Sequence, residues 1–235
     1  MYETLRRDEL MWRPWLVKAL PVQRLDVLRE AHAQGCGVIL SFAHHGQYSG
    51  VFPSIARHGL KLHVAIAEWL HTQNTPTYNG RFWRQHVKVV GSHGVGVIPA
   101  VSGASAVMGR MLAAGAIVAI ASDVAGNTAT TFMGRSVKTA SGAARLALSS
   151  GAPIIPVTVH RGGRVQILRI EDALQVDPAM DVSTVLAAIL RAQESAVGEW
   201  PEAYHWPAKR FGLVRPEDVE RFGFPPDGYY QRYRV

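Results

Sequence analysis

The sequence predicts an α/β fold, a single domain with a mainly parallel central sheet flanked by helices. Two observations carry this. Apolar runs of strand length alternate with helix-length segments, and several of those runs are apolar on both faces, as strands covered from both sides must be. The chain has 235 residues, 48% of them hydrophobic, which is enough for one such core. The longest apolar stretches, 113–121 and 152–159, fall well short of the roughly 20 residues of a membrane span and suit buried strands.

Taken in order, 22–34 reads as a helix with Leu25 and Leu28 on its apolar side, and 37–42 as a buried strand that ends at His44. Residues 49–58 read as a helix, 62–67 as the next strand and 95–99 as another. A small-residue helix follows over 102–114, then a strand over 116–122 that is apolar on both faces. Residues 141–150 are helical, 154–160 and 165–170 are strands, and 182–197 is a helix with Val185, Leu186, Ile189 and Leu190 on one side. Breaks are expected at 72–80, at 124–131 and after Trp200. Residues 22–212 form the α/β domain in this reading, and 213–235 form a C-terminal tail.

Residues 1–21 stand apart as an amphipathic docking segment. Trp12, Trp15, Leu16, Ala19 and Leu20 fall at helical spacing, Arg13 and Lys18 lie elsewhere, and Pro14 suits a first helical turn. Two readings stay open: a helix packed on the domain or a partner, or an interfacial anchor with tryptophan in the headgroup zone. Arg6, Arg7, Asp8 and Glu9 interrupt any apolar stretch that a secretory signal would need, so a cytoplasmic protein is expected, peripheral on the inner membrane face if it is anchored.

The single cysteine, Cys36, excludes a disulfide within the chain and a cysteine zinc site, and its place before an apolar run predicts burial. The net charge of +7 suits anionic partners such as phospholipid surfaces, acidic carrier proteins or CoA phosphates. Nucleic acid is not expected, because no block of like charges and no nucleic-acid motif is present.

Three stretches could carry chemistry. In 37–50 a buried strand delivers His44, His45 and Gly46 into the start of a helix. A histidine there is reachable, held on a rigid element, and able to take a proton near neutral pH, which makes His44 the candidate base. His45 is a candidate for lining the pocket. Adjacent histidines diverge, and the ten histidines show no ligand spacing, so no metal is expected. In 119–126 Asp123 follows a strand, and either orients an imidazole or caps the next loop. His44 and Asp123 both follow strand ends, where sites form in open α/β sheets. In 131–142 a glycine turn with Arg135 and Lys138 leads into a helix start. That is either a phosphate site for phosphopantetheine, CoA or a phospholipid, or an ordinary capped helix with solvated cations.

His44-His45-Gly46-Gln47-Tyr48-Ser49 resembles the His-x4-Asp/Glu block of the lysophospholipid acyltransferase superfamily, in particular its branch of lipid A lauroyl/myristoyl and phosphatidylinositol mannoside acyltransferases. The likeness continues through 94–114, where Val97-Ile98-Pro99 precedes the small-residue helix, then Asp123 and Phe132-x-Gly134. It runs on through Ser141-Gly142-x-x-x-Leu146-Ala147-x-x-x-Gly151-Ala152-Pro153-Ile154-Ile155-Pro156-Val157, and ends in Pro201-x-x-x-x-Trp206-x-x-x-Arg210. The resemblance implies a glycerolipid acyltransferase-like fold. It implies transfer of a fatty acyl group from acyl carrier protein or acyl-CoA to a hydroxyl, with His44 as general base, backbone N–H groups on the oxyanion, and no cofactor. Tyr48, Ser49, Phe132, Gly134, Arg135 and Lys138 are then expected, with His45, to contact substrate.

The sequence departs from the pattern at Ser49, which stands at the acidic position, at Ala100 after Ile-Pro, and in lacking a membrane anchor before the domain. Three readings are compatible with these departures: Asp123 supplies the carboxylate and acyl transfer survives; the fold serves natural-product chemistry on a carrier-tethered or polar small molecule; or the chain is a partner subunit. A hetero- or homodimer is compatible with each.

Overall fold

The computed structural model describes residues 9–68, 70 and 76–204. A short helix, α1 (Pro14–Val17), leads into β1 (Val22–Gln23), α2 (Leu25–Ala33) and β2 (Val38–Phe42). A 3₁₀ turn (Tyr48–Gly50) opens α3 (Val51–Ala56), followed by β3 (Leu62–Ala67), α4 (Tyr78–Val90), β4 (Gly96–Ala100), α5 (Ala104–Ala113) and β5 (Ile117–Ala121). Strands β6 (Ala125–Phe132) and β7 (Arg135–Thr139) come next, then α6 (Gly142–Ser150), β8 (Ile154–Gly162), β9 (Val165–Ile170) and α7 (Val182–Glu199).

The main sheet has seven strands in the order β1-β9-β8-β2-β5-β3-β4, and every neighbouring pair is parallel except β8 with β9. This is the mainly parallel α/β domain that the two-faced apolar strands predict. Strand β2 lies inside the sheet with all five residues buried. Its alternation divides the core: Val38, Leu40 and Phe42 face α2 and α3, while Ile39 faces α5, α6 and α7. Helix α7 is held by Val185, Leu186, Ile189 and Leu190, all at most 1% exposed, and by an Asp181 cap that accepts from the Thr184 N–H at 2.9 Å.

Four expectations need correction. The helix expected over 22–34 begins instead with β1, because Arg24 takes a left-handed φ of 58° and the backbone before it pairs with β9. Helix α4 is an addition to the expected elements, and Thr77 caps it by accepting from the Gly80 N–H at 3.2 Å. The expected break at 124–131 and the glycine turn after it are one antiparallel hairpin, β6–β7. Met133 and Gly134 turn it at φ 51° and 72°, the two positive values a tight hairpin needs. Cys36 is exposed, in the turn between Gly35 and Gly37 rather than inside the strand.

The segment before the sheet is bolted to the turn after β2. Leu10, Val17 and Leu20 are buried, and the Leu20 N–H donates to Ser54 Oγ at 3.0 Å. Gly50 lies so close to this segment that a Cβ there would collide with the Val17 carbonyl oxygen. Gly50→Ala is therefore expected to cost about 1–3 kcal/mol through overpacking, read as a fall in thermal midpoint. An unchanged midpoint would mean that the segment is not seated there in solution. Residues 213–235 and the Trp206 and Arg210 of the C-terminal block lie outside the described residues.

Candidate active site

Strands β2 and β5 run side by side in register, with Phe42 opposite Ala121. Beyond their carboxyl ends Ser122 continues the pairing with both its backbone and its side chain. Both the N–H and the hydroxyl of Ser122 donate to the Phe42 carbonyl, at 2.8 and 3.0 Å. Just past this point the two chains meet again. The His44 N–H donates to Asp123 Oδ2 at 2.7 Å, and His44 Nδ1 lies 2.7 Å from Asp123 Oδ1. A carboxylate can only accept, so Nδ1 carries the proton and Nε2 of the neutral ring is left with its lone pair. The side chain of Asp123 is fully buried, whereas that of His44 is 28% exposed. A buried carboxylate thus holds a partly exposed imidazole.

The hairpin braces this pair from behind. The Thr139 hydroxyl lies 2.9 Å from the Ser122 carbonyl and 2.6 Å from that of Val124, which pins the Asp123 loop on both sides. Tyr204 is buried near Asp123 without closing a hydrogen bond of ordinary geometry. Burial first, and the Asp123 charge second, push its phenol pKa up, so it stays neutral beside the carboxylate.

His45 diverges from His44. It is 3% exposed, its Nε2 donates to the Trp200 carbonyl at 2.9 Å, and its ring packs on Trp200 and Tyr204. Burial lowers its pKa and keeps it neutral. This places His45 in the interior rather than at the edge where His44 is exposed. Gly46 turns the chain at φ 58°, in a space where a Cβ would lie 2.6 Å from Val159 Cγ1.

Tyr48 stands edge-on to His44, with ring centroids 4.7 Å apart. Ser49 is fully buried, and its Oγ lies 3.0 Å from His86 Nδ1 on α4. The residue at the family's acidic position therefore faces His86, not His44. His86 has no signal in the sequence beyond being one histidine in an unassigned stretch; a buried hydroxyl at 49, needing a partner, is the only hint.

The expected phosphate site is not assembled. Phe132 is fully buried against Tyr204, with Ala43, Val137 and Leu190 in the same cluster. Its ring packs in the interior beneath Ala43, the residue before His44. Gly134 lies in the hairpin turn, which is tied to α7 through the Met133 N–H donating to Glu194 Oε1 at 2.7 Å. Arg135 and Lys138 are exposed on β7, and the two-residue strand period puts them on opposite faces, so they do not converge on one anion.

The match to known families covers this whole arrangement. Residues 6–212 match the family model of bacterial lipid A biosynthesis acyltransferases. No single curated protein matches the chain. The matched span contains β2 and β5, the paired His44 and Asp123 at their ends, and the Ser49 turn; the chain belongs to the bacterial lipid A biosynthesis acyltransferase family, and it is an enzyme, an acyltransferase.

Proposed function

We propose that the chain moves an acyl group from a thioester donor, acyl carrier protein or CoA, to a hydroxyl or amine, with His44 as general base. The observation that carries this is the His44–Asp123 pair, with Nδ1 on the carboxylate and the ring partly open. In the reaction, Nε2 takes the proton of the acceptor as its oxygen or nitrogen attacks the thioester carbon. Asp123 stabilises the imidazolium that forms. Collapse breaks the carbon–sulfur bond, and the departing thiolate recovers the proton from His44. The chemistry balances with no cofactor. The test is intact-mass analysis of the protein with acyl-CoA and acyl-carrier donors, with and without lysophospholipid or simple amine acceptors.

One observation favours a second reading. Ser49 replaces the acidic residue and turns to His86, which fits an enzyme repurposed for a carrier-tethered or polar small molecule in natural-product biosynthesis, alone or with a partner subunit. Turnover of such a substrate, with no plain acyl transfer to lipid or amine acceptors, would select it.

We also propose that the enzyme works against an anionic membrane surface on the cytoplasmic side. No helix among the described residues is long and apolar enough to cross a membrane. Trp12, Trp15 and Leu16 are nonetheless 68%, 61% and 50% exposed. Arg13 beside them is exposed too, and the chain carries a net charge of +7. Indoles at the headgroup level with cations toward anionic lipid are the chemistry of an interfacial segment. Flotation with phosphatidylglycerol vesicles should carry the protein up, phosphatidylcholine vesicles much less, and the Trp12→Ser/Trp15→Ser protein with neither. Equal flotation of that variant would exclude this face. Self-association in sedimentation that is lost in the same variant would assign the face to a dimer instead.

A further inference from the structure

The His44 ring is held on one side by Asp123, and on its other side Tyr48 stands edge-on. Tyr48 is in turn placed by its neighbour in the chain. Ser49, the next residue in the same 3₁₀ turn, is fully buried and bonded to His86 Nδ1 at 3.0 Å. The His86 ring is 3% exposed, lies 5.6 Å from the Tyr48 ring, and packs on Phe82 and Trp83 of its own helix. Tyr48 is thereby caught between two imidazoles, one exposed at the reaction edge and one buried in α4.

We infer that His86 is a positioning residue for the His44 reaction: through Ser49 it fixes the turn that keeps Tyr48 against the His44 imidazole. The inference rests on the proposed role of His44. Two bonds from Asp123, one to the backbone N–H and one to Nδ1, set where the ring begins. They leave its tilt free, since the Nδ1 bond is itself an axis about which the ring can rock. Phe42 lies tilted against the ring at 5.9 Å, and the closer, edge-on Tyr48 at 4.7 Å removes the remaining freedom and directs Nε2 to one place. A turn is a weak support for such a neighbour unless it is anchored on both sides of it: Gln47, bonded to Gln166 and Glu9, holds the residue before Tyr48, and the Ser49–His86 bond holds the residue after it. The serine at the acidic position and the histidine on α4 are thus two halves of one device. A carboxylate at 49 would be fully buried beside His86, and it would face away from the ring it is expected to serve.

The experiment compares His86→Phe with His86→Asn in the full chain. Phenylalanine fills the space and loses the bond, whereas the asparagine amide can meet Ser49 Oγ as Nδ1 does. The first readout is kcat against KM for the donor that the parent turns over. His86→Phe should lower kcat on the order of 10- to 100-fold with KM little changed, as expected for a misplaced catalytic group, and His86→Asn should recover most of the loss. The second readout does not need turnover: the ring-proton NMR shifts of the His44 imidazole, which the Tyr48 ring displaces in the parent. His86→Phe should move them toward free-histidine values, and His86→Asn should hold them. Unmoved His44 resonances in His86→Phe would overturn the inference, as would equal damage in both variants or losses that only track a fallen thermal midpoint. If the parent transfers no acyl group, the function proposal fails, while the NMR comparison still decides this one.

Discussion

His44→Ala is expected to lower acyl transfer by about 10²–10⁴-fold, the usual contribution of a positioned general base. The fold should survive, and the reason is local. The carboxylate of Asp123 is fully buried, and stripping a buried acceptor of all its donors would be costly. Alanine removes only the Nδ1 donor, because the backbone N–H at position 44 still reaches Oδ2. The loss of one bond of this kind costs about 1–3 kcal/mol, a fall in thermal midpoint of roughly 2–4 °C per kcal/mol in a domain of this size. Donor turnover followed by mass spectrometry, beside thermal unfolding by circular dichroism, separates the two effects. Turnover at the parent rate in a folded His44→Ala protein would remove His44 from the mechanism.

Much of this site is legible in the sequence, for a physical reason. A strand buried on both faces must be continuously apolar, so 37–42 and 116–122 stand out, and with them the residues just past each strand. What the sequence withholds is adjacency. Nothing in the chain between residues 43 and 122 says that β5 lies beside β2 and not one strand further on; the strand order decides it. Asp123 as orienting group and Asp123 as loop cap are therefore equal from the sequence, and only the strand order brings its carboxylate within 2.7 Å of the His44 ring. The hairpin is hidden for a different reason. Its strands are half exposed and rich in threonine and small residues, so the alternation is too weak to read, and its glycine turn resembles the approach to a helix. Read that way, Arg135 and Lys138 share an anion that the strand period keeps them from sharing. His86 is out of reach because helix α4 carries Gly80 in its first turn and mixes tryptophan, arginine and glutamine around its circumference.

Asp123→Asn should be the most damaging conservative change in the chain, lowering kcat by about 10⁴-fold, as when a triad-type aspartate loses its charge. The two oxygens of Asp123 each accept from a donor that belongs to the same residue, one from the backbone and one from the ring. An asparagine has one oxygen and one NH₂ group. The backbone N–H cannot become an acceptor, so the amide oxygen must stay with it, and the NH₂ turns to the ring. Nδ1 must then accept, the ring proton moves to Nε2, and the nitrogen that faces the substrate is no longer free to take a proton. The imidazolium also loses the buried negative charge that stabilises it. Shape and burial are almost unchanged, so KM and the thermal midpoint should move little while kcat collapses. Ser49→Ala, which touches His44 only through Tyr48, should cost about tenfold by slight misplacement. The ratio between the two variants is the measurement that matters. Equal and small losses would show that His44 draws no support from Asp123. A larger loss in Ser49→Ala would move the essential partner of the site to α4.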